Sequence, residues 1–382
     1  MSAIKILVLD NIWSQTGLLL VELAKKGFDV VLLSPGVPSP EGLGRYCREI
    51  KAPDFEAGEP TPVFGQFLAN LLARERFDII LPTCEPLQRV AWDLPPEYAA
   101  KVFPQAQRWQ REILDDRRLM YDLVRSLGVP TPQEVAVASE ESLAAVAADL
   151  GFPFVLRGTQ GLGGQQVFVV NDLEAARSGY LALLLCSPQP PFAQQFIRGT
   201  RCGVGCLLDA GKSLQYFAFR SVETYPATTG PSIRMDSLND PVLIDYATKV
   251  FAALKWDGLA LAEFMVDENG TYYFLEINPR PWGSIQASRR VGINFFDLFV
   301  RYLRGERSFR QVLFKSGVRS TFFPQFLAAR IQQKAIFPVK DWKAYCQMLA
   351  ACPWGALSLL LYYWKRLLWL YRAMKKSGVA ST

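Results

Sequence analysis

The chain has 382 residues, 50% of them hydrophobic and 20% charged; at roughly 150 residues per domain this suffices for two or three packed domains and excludes wholesale disorder. It contains no histidine, which removes Ser-His and Cys-His nucleophile pairs, His-ligated zinc or iron, and imidazole acid–base chemistry. The net charge of +6 hides an asymmetry: residues 307–382 hold thirteen Lys or Arg against one acid, Asp341, so this segment carries +12 and residues 1–306 carry 6 − 12 = −6. Seven cysteines, an odd number with no C-x-x-C pair, fit idle thiols in a reducing compartment. The run Ile4–Leu9, with Lys5 as its lone charge and no small-residue cleavage site, does not read as a signal peptide, so a cytoplasmic location is expected.

In chain order, the apolar run 4–10 (IKILVLD), a helical stretch from Thr16 to Lys26 stopping at Gly27, and a second apolar run from Asp29 to Leu33 form a βαβ unit with a parallel sheet. The connection Asp10–Gly17 (DNIWSQTG) lacks G-x-G-x-x-G, so NAD is not expected. A loop over Ser34–Gly44 and a further strand over Phe77–Leu81 complete a first domain predicted to end near residue 110. A helix follows, with Asp115 or Asp116 as N-cap, Met120, Leu123, Val124 and Leu127 as its apolar stripe, and Gly128 and Pro130 as its stop.

From Gly151 the pattern becomes strand, glycine-rich connection, strand (FPFVLRG, TQGLGG, QQVFVV), then a helix from about Asp172. Strands are predicted at Phe192–Ile197, Cys202–Leu208, Leu214–Arg220 and Leu259–Val266, which makes the middle of the chain α+β.

The segment 259–284 (LALAEFMVDENGTYYFLEINPRPWGS) carries the most chemistry. Asn269-Gly270 signals a two-residue hairpin turn; Glu268 then pairs with Thr271 and Glu263 lies opposite Glu276. Alternation puts Asn278 on the face of Glu276. Opposed like charges destabilise a sheet, so two carboxylates and an amide oxygen want a hard cation, Mg²⁺ or alternatively Mn²⁺. The competing reading is a solvated strand face. Arg280, again on that face, suits a transferring phosphate or a plain salt bridge.

These residues resemble the ATP-grasp superfamily, and within it carboxylate–amine ligases akin to the repeat unit of carbamoyl phosphate synthase, over roughly residues 1–306. The resemblance implies a Rossmann-like pre-ATP-grasp domain (1–110) and a two-lobed ATP-grasp domain (111–306) whose glycine-rich lid spans about 128–190. FLEINPRPWGS is similar to the metal-binding strand, which implies Glu263, Glu276 and Asn278 as ligands of Mg²⁺ and Arg280 as a catalytic residue at the phosphoryl group. DRRLMYDLVRSLGVPTP and FPFVLRGTQGLGGQQVFVV resemble the segments that carry two phosphate-binding lysines, here Arg117 and Arg157, with Gly161, Gly163 and Gly164 in the lid loop. FAQQFIRGTR resembles the adenine-binding segment, implying Gln194, Gln195, Phe196 and Ile197 as nucleotide contacts, with Arg201 where the family sometimes has an acid. FAFRSVETYPATTGPSIRMDS implies Arg220 as a second catalytic residue and, more weakly, Gly230, Ser232 and Arg234 near substrate; LPTCEP implies Thr83 and Glu85 as grips for the amine. The implied activity is ATP-dependent activation of a carboxylate as an acyl phosphate and its capture by an amine, or a thiol, with ADP and phosphate released. The implied substrates are small carboxylates and amines, such as amino acids or short peptides, and no nucleic acid. Two alternatives stand beside this: a nucleotide-binding protein without turnover, and a carboxylase using bicarbonate.

Residues 307–382 are expected to form a basic, aromatic-rich amphipathic helical tail outside the family core. There, 21 uncharged residues lie between Lys343 and Lys365, and Lys365, Arg372 and Lys376 oppose Leu367, Leu370, Tyr371 and Met374 on a helix. Such a stripe suits packing on the core, a homo-oligomer contact or peripheral attachment to a membrane surface.

Overall fold

The computed structural model describes residues 3–10, 16–35, 43–52, 62–159, 166–186, 189–225, 230, 232–322, 326 and 329. Gly161, Gly163 and Gly164 lie outside the described residues, as does nearly all of the expected tail.

The N-terminal unit comprises β1 (Lys5–Leu9), α1 (Thr16–Lys25), β2 (Asp29–Pro35), β3 (Arg48–Ala52), α2 (Pro62–Arg74) and β4 (Ile79–Pro82). Its strands form a parallel sheet in the order β3-β2-β1-β4. Near-continuous apolar strands fit this arrangement: Ile6, Leu7, Val8 and Leu9 are all fully buried because both faces of a parallel sheet are covered. The helices α3 (Glu85–Trp92), α4 (Pro96–Ala99) and α5 (Arg108–Asp115) lead to α6 (Arg117–Ser126). Asp116 is the N-cap of α6, its carboxylate accepting from the Arg118 backbone N–H at 2.8 Å. The buried side of α6 is Met120, Tyr121 and Val124, whereas Leu123 and Leu127 are only half-buried.

A small antiparallel sheet follows, made of β5 (Glu134–Ala136), β6 (Phe154–Arg157), β7 (Val167–Val170) and β8 (Phe192–Gln195) in the order β5-β8-β6-β7. It is flanked by α7 (Leu143–Leu150) and α8 (Leu173–Cys186) and has its own core, built on Leu143, Phe154, Leu156, Tyr180 and Leu183. The last lobe holds β9 (Gly199–Asp209), β10 (Lys212–Thr224), β11 (Ser232–Ser237), α9 (Pro241–Leu254), β12 (Gly258–Asp267), β13 (Tyr272–Asn278), α10 (Phe295–Leu303) and β14 (Arg319–Thr321). Its six strands run in the order β13-β12-β9-β10-β11-β14.

Two apolar clusters each draw residues from both the N-terminal sheet and the six-stranded sheet. One joins Leu7 and Phe64 to Cys202, Phe264 and α9; the other joins Ile6 and Leu19 to Phe217, Trp282 and α10. The N-terminal unit and the large sheet are thus packed as one mass, while the small sheet keeps a separate core. Trp282 lies flat against β9, and a Cβ at Gly205 would overlap three atoms of its ring, so glycine is required there.

Residues 307–318 are not helical, and the chain continues into β14, which pairs with β11. The segment is pinned by Gln215, which exchanges hydrogen bonds with Val312 N and O, and by an Arg319–Asp236 ion pair. The fold therefore extends past the boundary expected at 306 to at least residue 322. Among the described residues, no helix is long and apolar enough to cross a membrane.

Candidate active site

The carboxylate hairpin forms, with one change of turn. Asp267 rather than Glu268 closes the loop, its N–H donating to Thr271 O at 3.1 Å and its carboxylate accepting from the N–H groups of Asn269 and Thr271. The turn is therefore three residues long, with Gly270 at φ 82°. That extra residue is absorbed by a bulge: Phe264 pairs with Phe274, Glu263 with Glu276, and Leu275 has no residue opposite. Glu263 and Glu276 consequently face each other as the sequence implies, and Asn278, opposite Leu261, follows on the same face.

Arginines gather around this pair. Arg117 Nη2, at the first turn of α6, donates to Glu276 Oε2 at 2.8 Å, and Arg157 Nη2, at the end of β6, stands 3.8 Å from the same oxygen. Arg201 shares the face, since β9 places Gly203 opposite Glu263 and Arg201 opposite Met265, and its guanidinium donates to Gly230 O at 3.2 Å. Burial works to raise the pKa of Glu276, but Arg117 and Arg157 outweigh it and hold this carboxyl well below the usual range. Glu263 moves the other way: burial first, and the charge of Glu276 second, push it up to about 7, against the pull of Arg201 and Arg280. Burial, with the charge of Arg117 beside it, brings the pKa of Arg157 down.

On the side facing the N-terminal unit, Arg280 donates from Nε to Glu85 Oε2 at 2.7 Å and from Nη2 to Asn278 Oδ1 at 3.0 Å. Gln88 Nε2 donates to Pro279 O at 2.7 Å. An open pocket lies here, lined by Glu85, Gln88, Asp115, Arg117, Thr159, Glu276 and Asn278 among others. Gln88 and Thr159 are 1% exposed, yet Gln88 Oε1 and Thr159 Oγ1 have no hydrogen-bond partner among the described residues.

Several expected residues do other work. Arg220 lies opposite Cys202 and Asp236, and Cys202 belongs to the core beneath α9, so Arg220 projects from the face opposite Glu263; its catalytic assignment is corrected. Thr83 is 2% exposed, and its hydroxyl donates to Leu9 O and Asp10 Oδ1 within the strand ends. Glu85 grips Arg280. Ser232 Oγ donates to Ser221 Oγ at 2.8 Å, and Arg234 meets Glu223 and stacks on Phe326. The Gln194 side chain is buried, bonded to Arg157 and Tyr121, while Gln195 Oε1 accepts from Gln133 N at 3.3 Å. Ile197 is buried, and Phe196 lies under the Arg198 guanidinium. Tyr121, Gln88, Thr159 and Arg201 are not among the expected site residues. Of these, only Tyr121 carries a local signal, one helical turn after Arg117 on α6.

For a metal, Glu263, Glu276 and Asn278 offer an all-oxygen set that fits Mg²⁺. Among the described residues no group of three or more His, Cys, Asp or Glu gathers, so the amide oxygen of Asn278 is needed as the third donor. Arg117 and Arg280 now occupy oxygens of Glu276 and Asn278, and would share or yield them.

The two antiparallel sheets lie within segments that match two ATP-grasp families. Residues 116–188 match the family described as the carbamoyl-phosphate synthase L chain ATP-binding domain, and residues 192–323 match ATP-grasp in the biosynthetic pathway with Ter operon. The chain is 26% identical over 280 residues, 67% of its length, to the carbamoyl phosphate synthase large chain of Thermomicrobium roseum, of which it spans 25%. Its fold is similar to biotin carboxylase from Campylobacter jejuni (TM-score 0.68, 18% identity, 82% of this chain and 74% of that one). It is also similar to N5-carboxyaminoimidazole synthetase from Staphylococcus aureus complexed with ADP (0.64, 18%, 81% and 80%) and to L-amino acid ligase from Bacillus licheniformis (0.58, 17%, 79% and 74%). Residues 116–323 of this chain belong to the ATP-grasp superfamily.

Proposed function

We propose that the protein is an ATP-dependent ligase that activates a small carboxylate as an acyl phosphate and joins it to an amine, releasing ADP and phosphate. The observation that carries this reading is Glu263 facing Glu276 across β12 and β13, with Arg117 and Arg157 on Glu276. The N-terminal parallel sheet is read as the pre-ATP-grasp domain, and residues 128–190 as the lid.

Phosphoryl transfer asks a protein mainly for position and charge. Glu263, Glu276 and Asn278 would hold Mg²⁺, which when bound neutralises charge on phosphoryl oxygens. Arg157 and Arg117, which converge on the same oxygen of Glu276, would bind nucleotide phosphates, and Arg201 adds a third positive charge on the same face. Arg280, held by Glu85, would orient the activated carboxyl group. The buried, unpartnered Gln88 Oε1 and Thr159 Oγ1 give the adjoining pocket an acceptor and a hydroxyl for a polar substrate. None of these roles needs an imidazole, in keeping with a sequence that has none.

The experiment is Mg²⁺-dependent ADP release from purified protein across pairs of amino acids, short peptides and bicarbonate, with Glu276→Ala beside it. Release that requires both a carboxylate and an amine, and is lost in Glu276→Ala, is the expected result. Release with bicarbonate alone would move the assignment to a carboxylase, and nucleotide binding without turnover on any pair would sink the ligase.

A further inference from the structure

The phenol of Tyr121 stands where three separately built parts of the site meet. Its ring is fully buried and packs edge-on against Phe274, centroids 6.2 Å apart. Its hydroxyl donates to Leu275 O at 2.9 Å and accepts from Gln194 Nε2 at 2.9 Å and Arg157 Nη1 at 3.3 Å. Arg157 Nη1 also donates to Gln194 Oε1 at 3.1 Å, so phenol, amide and guanidinium close a ring of hydrogen bonds. One hydrogen and two lone pairs are the whole capacity of a phenol, and all are spent.

The partners are not equivalent. Arg157 is the lid's cation, 6% exposed, and its ion-pair contact with Glu276 is long at 3.8 Å; two neutral dipoles hold its charge at shorter range. Leu275 is the bulged residue of β13, and the bulge is what brings Glu276 opposite Glu263. Gln194 lies near the end of β8, at the passage from the small sheet to the large one. A single hydroxyl therefore touches the phosphate-facing cation, the strand kink that aims the carboxylate, and the junction of the lobes.

We propose that Tyr121 is a positioning residue that locks Arg157 and the Leu275–Glu276 bulge into one geometry, so that cation and carboxylate are presented together to a metal-bound nucleotide. This rests on the ATP-dependent reading given above. Because the lone pairs and the proton of the same oxygen serve opposite sides, the hydrogen bonds polarise one another. Removing the hydroxyl leaves two buried donors and one buried carbonyl to find other partners.

The test is calorimetric titration of wild type and Tyr121→Phe with ADP at several Mg²⁺ concentrations, beside thermal melts without ligand. The expected result is a tenfold or greater loss of affinity and a higher Mg²⁺ concentration at half-saturation, with the number of sites per protein unchanged. A purely structural tyrosine would lower the melting temperature and the number of competent sites, and leave the affinity of the folded molecules alone. An affinity within threefold of wild type, with the same Mg²⁺ requirement, overturns the inference. Should Tyr121→Phe not fold, Gln194→Met, which removes one of the hydroxyl's donors, carries the same test with a smaller expected loss and the same overturning result. A wild type that binds no nucleotide overturns the ATP-dependent reading and this inference with it; binding by wild type and equal binding by the variants overturns this inference alone.

Discussion

Arg280 Nε donates to Glu85 Oε2 at 2.7 Å, joining side chains 195 residues apart that are 8% and 15% exposed. Glu85 opens α3 just after the parallel sheet, and Arg280 leaves the strand that carries Glu276, so the pair fastens the N-terminal unit to the reacting strand. Breaking one side of a buried pair costs about 3–5 kcal/mol, and an amide that keeps one hydrogen bond reduces this to about 1–2 kcal/mol. Glu85→Gln should therefore fold with a lowered melting temperature, bind Mg²⁺-nucleotide nearly as wild type, and release ADP at least tenfold more slowly. Wild-type turnover in this variant would show that Arg280 needs no partner.

Stability should depend on pH through Glu263. Its folded pKa, about 7, lies above its ordinary 4.5, so the carboxyl favours the folded chain most below 4.5, and that contribution is lost as pH rises through 7. Glutamine is neutral throughout. Without metal, the stability of Glu263→Gln relative to wild type should rise by about 2–3 kcal/mol between pH 5 and pH 8. Melting curves from pH 5 to 9 decide the matter; a constant offset between the two proteins would mean that neither burial nor the charge of Glu276 raises the Glu263 carboxyl.

Arg117 is the nearest cation to Glu276, and its loss leaves a half-buried carboxylate without its 2.8 Å partner; on the proposed reading it also removes a phosphate contact. Arg117→Ala should weaken Mg²⁺-nucleotide binding by about 2–3 kcal/mol, some 30- to 150-fold. Arg117→Lys keeps the charge on a single-point donor and should recover most of that loss. Calorimetry on the three proteins checks the order; a lysine variant as weak as alanine would mean that the forked geometry matters more than the charge.

Trp282 occupies the space above Gly205, shortly after Arg280 in the chain, and is fully packed against Phe295 with ring centroids 5.1 Å apart. Gly205→Ala must displace the indole, costing about 1–3 kcal/mol or more. A lower melting temperature and a shifted tryptophan emission are expected. An unchanged melting temperature would show that the ring can move freely.

The hairpin shows how much of the site is legible in the amino-acid sequence. Period-two alternation and an Asn-Gly turn suffice to put Glu263 across from Glu276, although the turn is one residue longer than expected. The bulge at Leu275 cancels that residue, and bulges leave no local signature in composition. Arg220 fails for a related reason: its motif is legible, but its face depends on the parity of β10 against β9, which only cross-strand pairing settles. Likewise β14 is three residues joined to β11 across a long stretch of chain, Asp236 pairing with Arg319, and is too short for any pattern to mark. The parallel sheet and α6 are legible because apolar runs and capping residues act locally. The stripe expected on α6 misses Tyr121 by one position, because a polar tip on an aromatic ring does not say which neighbour will receive it.

The strand that carries Glu276 is the outermost of its sheet. An outer strand ordinarily offers unpaired N–H and C=O groups to any extended chain that drifts against it, the usual route to runaway strand addition. On β13, however, the Phe274 N–H donates to Pro130 O at 2.8 Å and Leu275 O accepts from Tyr121. The segment through Pro130 thus doubles as a guard rail: a foreign strand would have to peel α6 and that segment away before it could template on the sheet, which leaves the strand that carries Glu276 poorly suited to seeding aggregation.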